Sequence, residues 1–590
     1  MIDNMLPPAF ILVLGAVLIP FLRGNAKKIY MLAIPVVAFY VMMSMPEGNF
    51  WTVKFWGYDL ILGRVDKLSR VFTYVFIIMA FLGVLFALQV KDNLQHVAGL
   101  VYAGSTLGVV LAGDFISLYL FWEVMAVSST FLVIASRTKE SREAGFRYIL
   151  VHLVGGLFLL AGIVLYYQKT GTFTFNYIGL DGLDSWLILI GIGLNAAAFP
   201  LHAWLPDAYP MGTPTSTVFL SAFTTKSAVY LLIRTFPGTE LLIVVGGIMV
   251  SLPIFYAVLE NDIRRVLSYS LMNQVGFMMV GIGIGTELSI NGAVAHAFCH
   301  IIYKALLFMA AGSVLQQTGK IKCTEIGGLY KTMPLTCLFC MVGAASISAF
   351  PLFSGFVSKS MIVSASGEEQ IFLIWLVLQF ASTGVVDHAG IKVPFFTFFG
   401  HDAGIRAKEP PLNMLLSMGI AAALCVGLGV FYQPLYNLLP YSVDYVPYTG
   451  AHVVTQLQLL LFGALAFTLL ILSGYYVPEV RSRNLDTDWT YRMLGRVAYA
   501  GLDKGLNALN RLSESALMTM VKGVTGFAQK MIIHLVMFGA VNLWLVQGYK
   551  DKRLDIKKDR LYNDMMGGTV PIGIGAAVSV SFIILVYVLS

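Results

Sequence analysis

AVAHAFCHIIYKALLF, residues 293–308, is an apolar run that carries two histidines and a lysine. His296, His300 and Lys304 are spaced by four, so on a helix they stack on one face. The run sits inside a longer apolar stretch, 290–315. That is enough for the roughly 20 residues that cross a bilayer. A charge near the bilayer centre costs at least about 3 kcal/mol even on lenient scales, so each such residue needs a partner, a water-filled cavity or a function.

Similar runs flank this one along most of the chain. They lie near 8–22, 29–44, 70–90, 97–112, 115–135, 146–166, 184–207, 215–235, 241–259, 267–286 and 290–315, then 335–363, 371–399, 412–433, 455–476, 532–548 and 570–589. Of the 590 residues, 58% are hydrophobic and 12% charged, against about 25% charged in soluble chains. The expected fold is all-α, a polytopic transmembrane bundle of about 16–17 spans. Helices are the expected spanning element because lipid offers backbone groups no partner outside the segment.

The basic residues report topology. Arg23, Lys27 and Lys28 follow the first span; Arg137, Lys139, Arg142 and Arg147 follow the fifth; Arg264 and Arg265 follow the ninth. Alternating spans put all three clusters on one side, expected to be cytoplasmic, with the N-terminus outside and the chain in the inner membrane. The net charge of +7 therefore does not read as nucleic-acid binding. MIDNMLPPAF, residues 1–10, has no basic n-region, so the first apolar run is expected to be retained. Cys337 and Cys340 form a CxxC around Leu338 and Phe339, and with Cys299, Cys323 and Cys425 they read as buried thiols without a metal. Residues 480–530 differ: Leu502, Leu506, Leu509 and Leu517 recur at helical spacing among charges such as Asp503, Lys504 and Arg511. That suits an amphipathic helix lying on a membrane surface or along a neighbour, or alternatively a soluble helical linker between spans. The expected divisions are 1–96, a core at 97–402, further spans at 403–478, the amphipathic stretch at 479–531 and final spans at 532–590.

Other ionisable residues also fall within spans: Glu123 in the fifth, Lys226 in the eighth, Lys359 in the twelfth, and Lys392, near Asp387 and His388, in the thirteenth. With His296, His300 and Lys304 they form a candidate proton relay across five helices. Pro200 and Pro351 interrupt two spans, each within the tetrapeptide AFPL, at 198–201 and 349–352. Proline breaks a helix and frees carbonyls, and matching breaks point to an internal repeat with its ion path there.

FWE around Glu123, FPLHAWLPDAY at 199–209, TTKSAVYLLIR around Lys226, HAFCHIIYKALLF at 296–308 and FPLFSGFVSKS at 350–360 together resemble the antiporter-like subunit family. The resemblance runs from about Asp66 to about Asp402. GFVSKSMI and HAGIKVPFFTFFGHD look most like the D-type subunits of Mrp-type antiporters, with complex I and membrane-bound hydrogenase subunits related. It implies two inverted five-helix repeats, spans 4–8 and 9–13, each with a half-channel. It also implies proton carriers at Glu123, Lys226, His296, His300 and Lys359. Five residues before Pro200, where the family has a lysine, this chain has Asn195. Asparagine cannot carry a proton or modulate Glu123 by charge. Glu123 then pairs with Lys226 instead, or the first half-channel is altered or silent.

The resulting expectation is a proton-translocating subunit of a multisubunit cation/proton antiporter, with other membrane subunits as partners and H⁺ and Na⁺ as the ions. The alternatives are a proton-pumping subunit of a complex I-like or hydrogenase complex, and a transport-inactive scaffold. No nucleotide fingerprint, haem pair or iron–sulfur pattern is present, so no cofactor and no catalytic centre of its own are expected.

Overall fold

The computed structural model describes residues 6–476 and 485–567, with 576, 579–584 and 587. Among these residues 13 helices are long and apolar enough to cross a membrane. Three shorter apolar helices, Pro8–Phe21, Leu183–Asn195 and Pro334–Ile347, accompany them. Each run expected up to 476 has a helical counterpart. The run at 570–589 lies mostly outside the described residues.

The first helices, α1 (Pro8–Val17) and α2 (Gly24–Ser44), lead into a hairpin of β1 (Gly48–Phe55) and β2 (Tyr58–Val65). The hairpin is absent from the all-helical reading. Its turn is Trp56-Gly57, both with positive φ (48° and 84°), the combination that matches the twist of two antiparallel strands. Its far strand seals the start of a helix. Asp114 caps α5 (Phe115–Val133), accepting from Ser117 N at 2.8 Å and Ser117 Oγ at 2.7 Å, and also takes Ile61 N of β2 at 2.7 Å. Asp114→Ala strands three donors and should cost about 1–3 kcal/mol, readable as a lowered thermal midpoint of the detergent-solubilised protein.

The core then follows: α3 (Lys67–Phe86), α4 (Asn93–Leu111), α5, α6 (Lys139–Thr170), α7 (Leu183–Asn195), α8 (Trp204–Ala208), α9 (Ser216–Ala222) and α10 (Thr224–Thr235). Next come α11 (Glu240–Leu259), α12 (Ile263–Ile284), α13 (Glu287–Thr318), α14 (Pro334–Ile347), α15 (Ser354–Glu368), α16 (Phe372–Val385), a π-helical turn over Val386–Ile391, and α17 (Lys392–Pro394). After these, α18 (Leu412–Val430), α19 (Gln433–Tyr436) and α20 (Gly450–Ser473) close the first compact unit, which runs from Met1 to Asp488. At its centre α13 packs against α3, α9, α10, α12, α14, α15 and α18.

An internal repeat is visible in the construction. Through α6 and α13, residue n of the first copy corresponds to n + 148 of the second; at the ends of α7 and α14 the offset is 152. α6 and α13 are both 32 residues long, capped by Thr138 and Thr286 and ended by left-handed Gly171 and Gly319. The bridge Asp114–Thr174 recurs as Asp262–Lys322. α7 and α14 end alike. Ala198 N bonds Gly193 O and Ala197 N bonds Leu194 O; Phe350 N bonds Ala345 O and Ala349 N bonds Ser346 O. Ala197 and Ala349 take left-handed φ values of 55° and 56°. This is the Schellman termination, and it corrects the expected cause of the breaks. The helices stop at Asn195 and Ile347, ahead of Pro200 and Pro351, which lie in the connecting turns.

The basic clusters do share one face. Lys27 Nζ donates to Asn93 Oδ1 at 2.6 Å, and Arg137 pairs with neighbouring Asp92 at 2.8 Å. A cavity of about 750 Å³ brings Ser136, Thr138 and Glu140 against Asp262, Arg264 and Arg265. The second unit, Trp489–Ser590, is built mainly from one helix, α21 (Asp488–Val546), followed by α22 (Lys552–Met566). α21 runs unbroken past residue 531, where the sequence reading divides an amphipathic stretch from a span. Leu502, Leu506, Leu509 and Leu517 are exposed along it.

Candidate functional site

His296, His300 and Lys304 are fully buried on α13. His296 Nδ1 lies 3.2 Å from Ser358 Oγ of α15 and its Nε2 3.1 Å from Gln274 Oε1 of α12. Tyr303 OH donates to that same Gln274 oxygen at 3.1 Å. The His300 ring stands 5.3 Å from Tyr303 and 6.1 Å from His296, and neither of its nitrogens has a hydrogen-bond partner; nor does Lys304 Nζ. Lys226, Lys304, His296 and Lys359 all act on His300 electrostatically. His300 is therefore the hub of the buried ionisable groups, and the even spacing along α13 is what brings it there.

Three other buried lysines, Lys226, Lys359 and Lys392, face helix carbonyls. Between α9 and α10 the helix breaks at Phe223, where Tyr102 OH accepts Thr224 N–H at 3.0 Å; Lys226 Nζ donates to the Ser221 carbonyl at 2.6 Å. Lys359 Nζ donates to Ile347 O, the last carbonyl of α14, at 3.2 Å, and lies 5.0 Å over the Phe277 ring. Lys392 Nζ donates to Val258 O at 2.6 Å, Glu260 O at 2.8 Å and Ala257 O at 3.3 Å, at the end of α11. Helix C-termini leave carbonyls unpaired and carry partial negative charge, so each is a natural seat for an ammonium. His388, buried, is tied to Gly384 O at 2.6 Å and interacts electrostatically with Lys304, Lys392 and Lys359. The π-turn thereby joins Lys392 to the line.

Glu123 stands apart. It is half-buried beside Tyr119, its electrostatic and hydrogen-bonding partner, and borders an apolar groove formed with Leu94, Val97 and Val101. Among the described residues no ion pair joins Glu123 to Lys226, so the expected alternative pairing does not form; Lys226 is turned to Ser221 instead. Asn195, the altered position, is fully buried at the end of α7 and bonds through Oδ1 to His152 Nδ1 of α6 at 2.7 Å. Where Lys359 covers the α14 terminus, the α7 terminus receives Trp204 Nε1, which donates to Leu194 O at 3.0 Å. His152 is absent from the sequence-read relay. Its signal was the repeat, because it corresponds to His300 at n + 148.

The five cysteines are all buried free thiols. Just beyond the α7 break, His202 Nε2 and Tyr269 OH hold Asp486 at 3.0 and 2.9 Å. Burial alone would raise the Asp486 carboxyl, but hydrogen bonding and charge from His202, with the Thr487 amide and Tyr269, outweigh it and hold it below the usual carboxylate range. A depressed carboxylate adds stability that is present above its unfolded value, about 3.9, and is lost as pH falls through its folded one. The Thr487 amide, 2.6 Å from Asp486 Oδ1, should thus lose hydrogen-exchange protection below about pH 4 once intrinsic rates are corrected. Asp486→Asn should remove that pH dependence.

Comparison with known proteins gives consistent matches. A family model described as "NADH:quinone oxidoreductase/Mrp antiporter, TM" matches residues 112–384. The A-type subunit of the Na⁺/H⁺ antiporter of Alkalihalophilus pseudofirmus is 29% identical over 492 residues, 72% of this chain and 60% of the relative. The D-type subunit of the same antiporter is 28% identical, covering 56% and 71%. This chain thus spans about three fifths of the longer, A-type relative, and both subunit types match, not the D type alone. The Mrp complex of Dietzia sp. DQ12-45-1b contains a chain superposing with TM-score 0.74 at 25% identity, over 84% of this chain and 59% of that one. A chain of an archaeal membrane-bound sulfane sulfur reductase shares the fold, with TM-score 0.70 at 22% identity over 84% and 94%. Together these matches make the chain similar, most clearly over residues 112–384, to the antiporter-like membrane subunits of Mrp antiporters and NADH:quinone oxidoreductases.

Proposed function

We propose that the chain is the proton-translocating membrane subunit of a multisubunit cation/proton antiporter, with other membrane subunits as its partners. The observation that carries this reading is the continuity of buried ionisable groups around His300. Lys226, Lys304, His296 and Lys359 are all within electrostatic reach of it. A proton arriving at one group raises the cost of the next, so charge moves along the line in steps.

Entry is from the face of the basic clusters, taken as cytoplasmic, through the cavity of about 750 Å³ lined by Glu140, Glu260 and Asp262. Release is through a second cavity, of about 440 Å³, lined by Lys359, Ser360, Glu368 and Gln456. With alternating spans and the two copies offset by five, the repeats are inverted and the second cavity opens to the other side. Lys392, on three carbonyls, feeds or holds the line through His388.

A scaffold would have no use for these groups. Unpaired polar atoms at His300 and Lys304 each carry a desolvation penalty of about 1–3 kcal/mol or more, which apolar side chains would avoid. The respiratory alternative uses the same path and differs in what drives it. Inverted vesicles from cells expressing the whole complex separate the two: Na⁺-dependent dissipation of a pH gradient supports the antiporter reading. Proton uptake that needs an electron donor and ignores Na⁺ would reject it in favour of the respiratory one.

A further inference from the structure

The correspondence of n with n + 148 aligns Tyr148, His152 and Gly156 of α6 with His296, His300 and Lys304 of α13. The two triads differ in a compensating way. At the third position the second copy has a lysine, whereas the first has a glycine, and a Cβ built at Gly156 would collide with the Glu123 carboxylate. Glu123, from α5, therefore fills the space beside α6 that the Lys304 side chain occupies beside α13. One turn away, His152 is 1% exposed and Asn195 fully buried. Their shared bond leaves His152 Nε2, Asn195 Nδ2 and Glu123 Oε1 all without a protein partner. The His152 ring is held by Tyr148 at 4.2 Å and Trp204 at 4.6 Å, and Tyr148 is in turn fixed by donating to Ser129 Oγ at 2.9 Å.

We propose that His152, oriented by Asn195, is the proton-carrying residue of the first repeat, in the role that a lysine at position 195 would otherwise fill. An asparagine cannot titrate, but its carbonyl accepts from the Nδ1 N–H and so leaves Nε2 as the unpaired nitrogen free to take a proton. The proton-accepting group has moved from α7 to α6, and the first half-channel is retained, not silent. The groups packed against His152 are Tyr148 on its own helix, Asn195 of α7 and Trp204 of α8, none of them charged; the Glu123 carboxylate of α5 lies one turn along α6, at Gly156.

This inference rests on the proton-translocating reading above, so its test carries Lys359→Ala alongside. Transport would be measured in inverted vesicles from cells expressing the whole complex, at matched amounts of assembled complex. His152→Asn keeps an amide where Nδ1 meets Asn195 but cannot titrate, and His152→Gln serves if the first variant does not assemble. The expected result is a fall of about tenfold or more, with partial recovery when Asn195→Lys is added. An assembled variant that transports within twofold of wild type, while Lys359→Ala is inactive, overturns the role of His152 and leaves the proposed function standing. If Lys359→Ala is also as active as wild type, both fall.

Discussion

Lys359→Ala is expected to lower cation-dependent proton transport about 100-fold or more, the scale on which a positioned proton-transfer group acts. Lys359 is the member of the line that meets both the buried histidines and the cavity of about 440 Å³. Its ammonium has a carbonyl partner, Ile347 O, and a ring beneath it, Phe277, and no carboxylate counter-ion among the described residues. A strong ion pair would hold the proton; a carbonyl and a ring leave it exchangeable. Lys359→Arg sharpens the test, because guanidinium keeps the charge but does not release its proton at any accessible pH. It too should be inactive. Activity in either variant within twofold of wild type, in vesicles with equal complex content, would remove Lys359 from the path.

Gly276→Leu is expected to eliminate the folded chain from the membrane. α11 and α12 pack backbone to backbone: a Cβ at Gly276 would meet Val250 N at 2.8 Å and Met249 C at 2.9 Å, and one at Gly246 would meet Gly276 O at 2.8 Å. Small residues let membrane helices approach this closely. A leucine there must push against main chain, which cannot rotate away, so the cost exceeds the roughly 1–3 kcal/mol of ordinary overpacking. The same helix carries Gln274, which orients His296, so separation of the pair also dismantles the relay. The check is the monodisperse yield of detergent-solubilised protein by size exclusion, with Gly427→Leu, which has open space around its Cβ position, as the control. A normal yield for Gly276→Leu would show that the two helices can move apart without loss.

Much of this was legible in the chain. Long apolar runs dictate helices because backbone groups in lipid must pair within their own segment. A spacing of four places His296, His300 and Lys304 on one face whatever the surroundings. The AFPL pair pointed to the two breaks, although the helices end earlier, at left-handed alanines that carry no sequence signal. The β-hairpin at 48–65 was missed because its stability comes from contact with Asp114 and its own turn, not from a strongly alternating pattern. His152 was missed because a lone histidine in an apolar run reads as a satisfied core residue until its partner is known.

By itself, then, the sequence determined that the chain is a helical membrane protein, that ionisable residues lie inside its spans, and which of them share a helix. Only the tertiary structure decided that Lys226, Lys359 and Lys392 face helix carbonyls, that Glu123 lies over Gly156 and away from Lys226, and that Asn195 bonds His152. The reason is geometric: periodicity relates residues within one helix, whereas a proton path is made of distances between helices, and those are set by which small residues let the backbones meet.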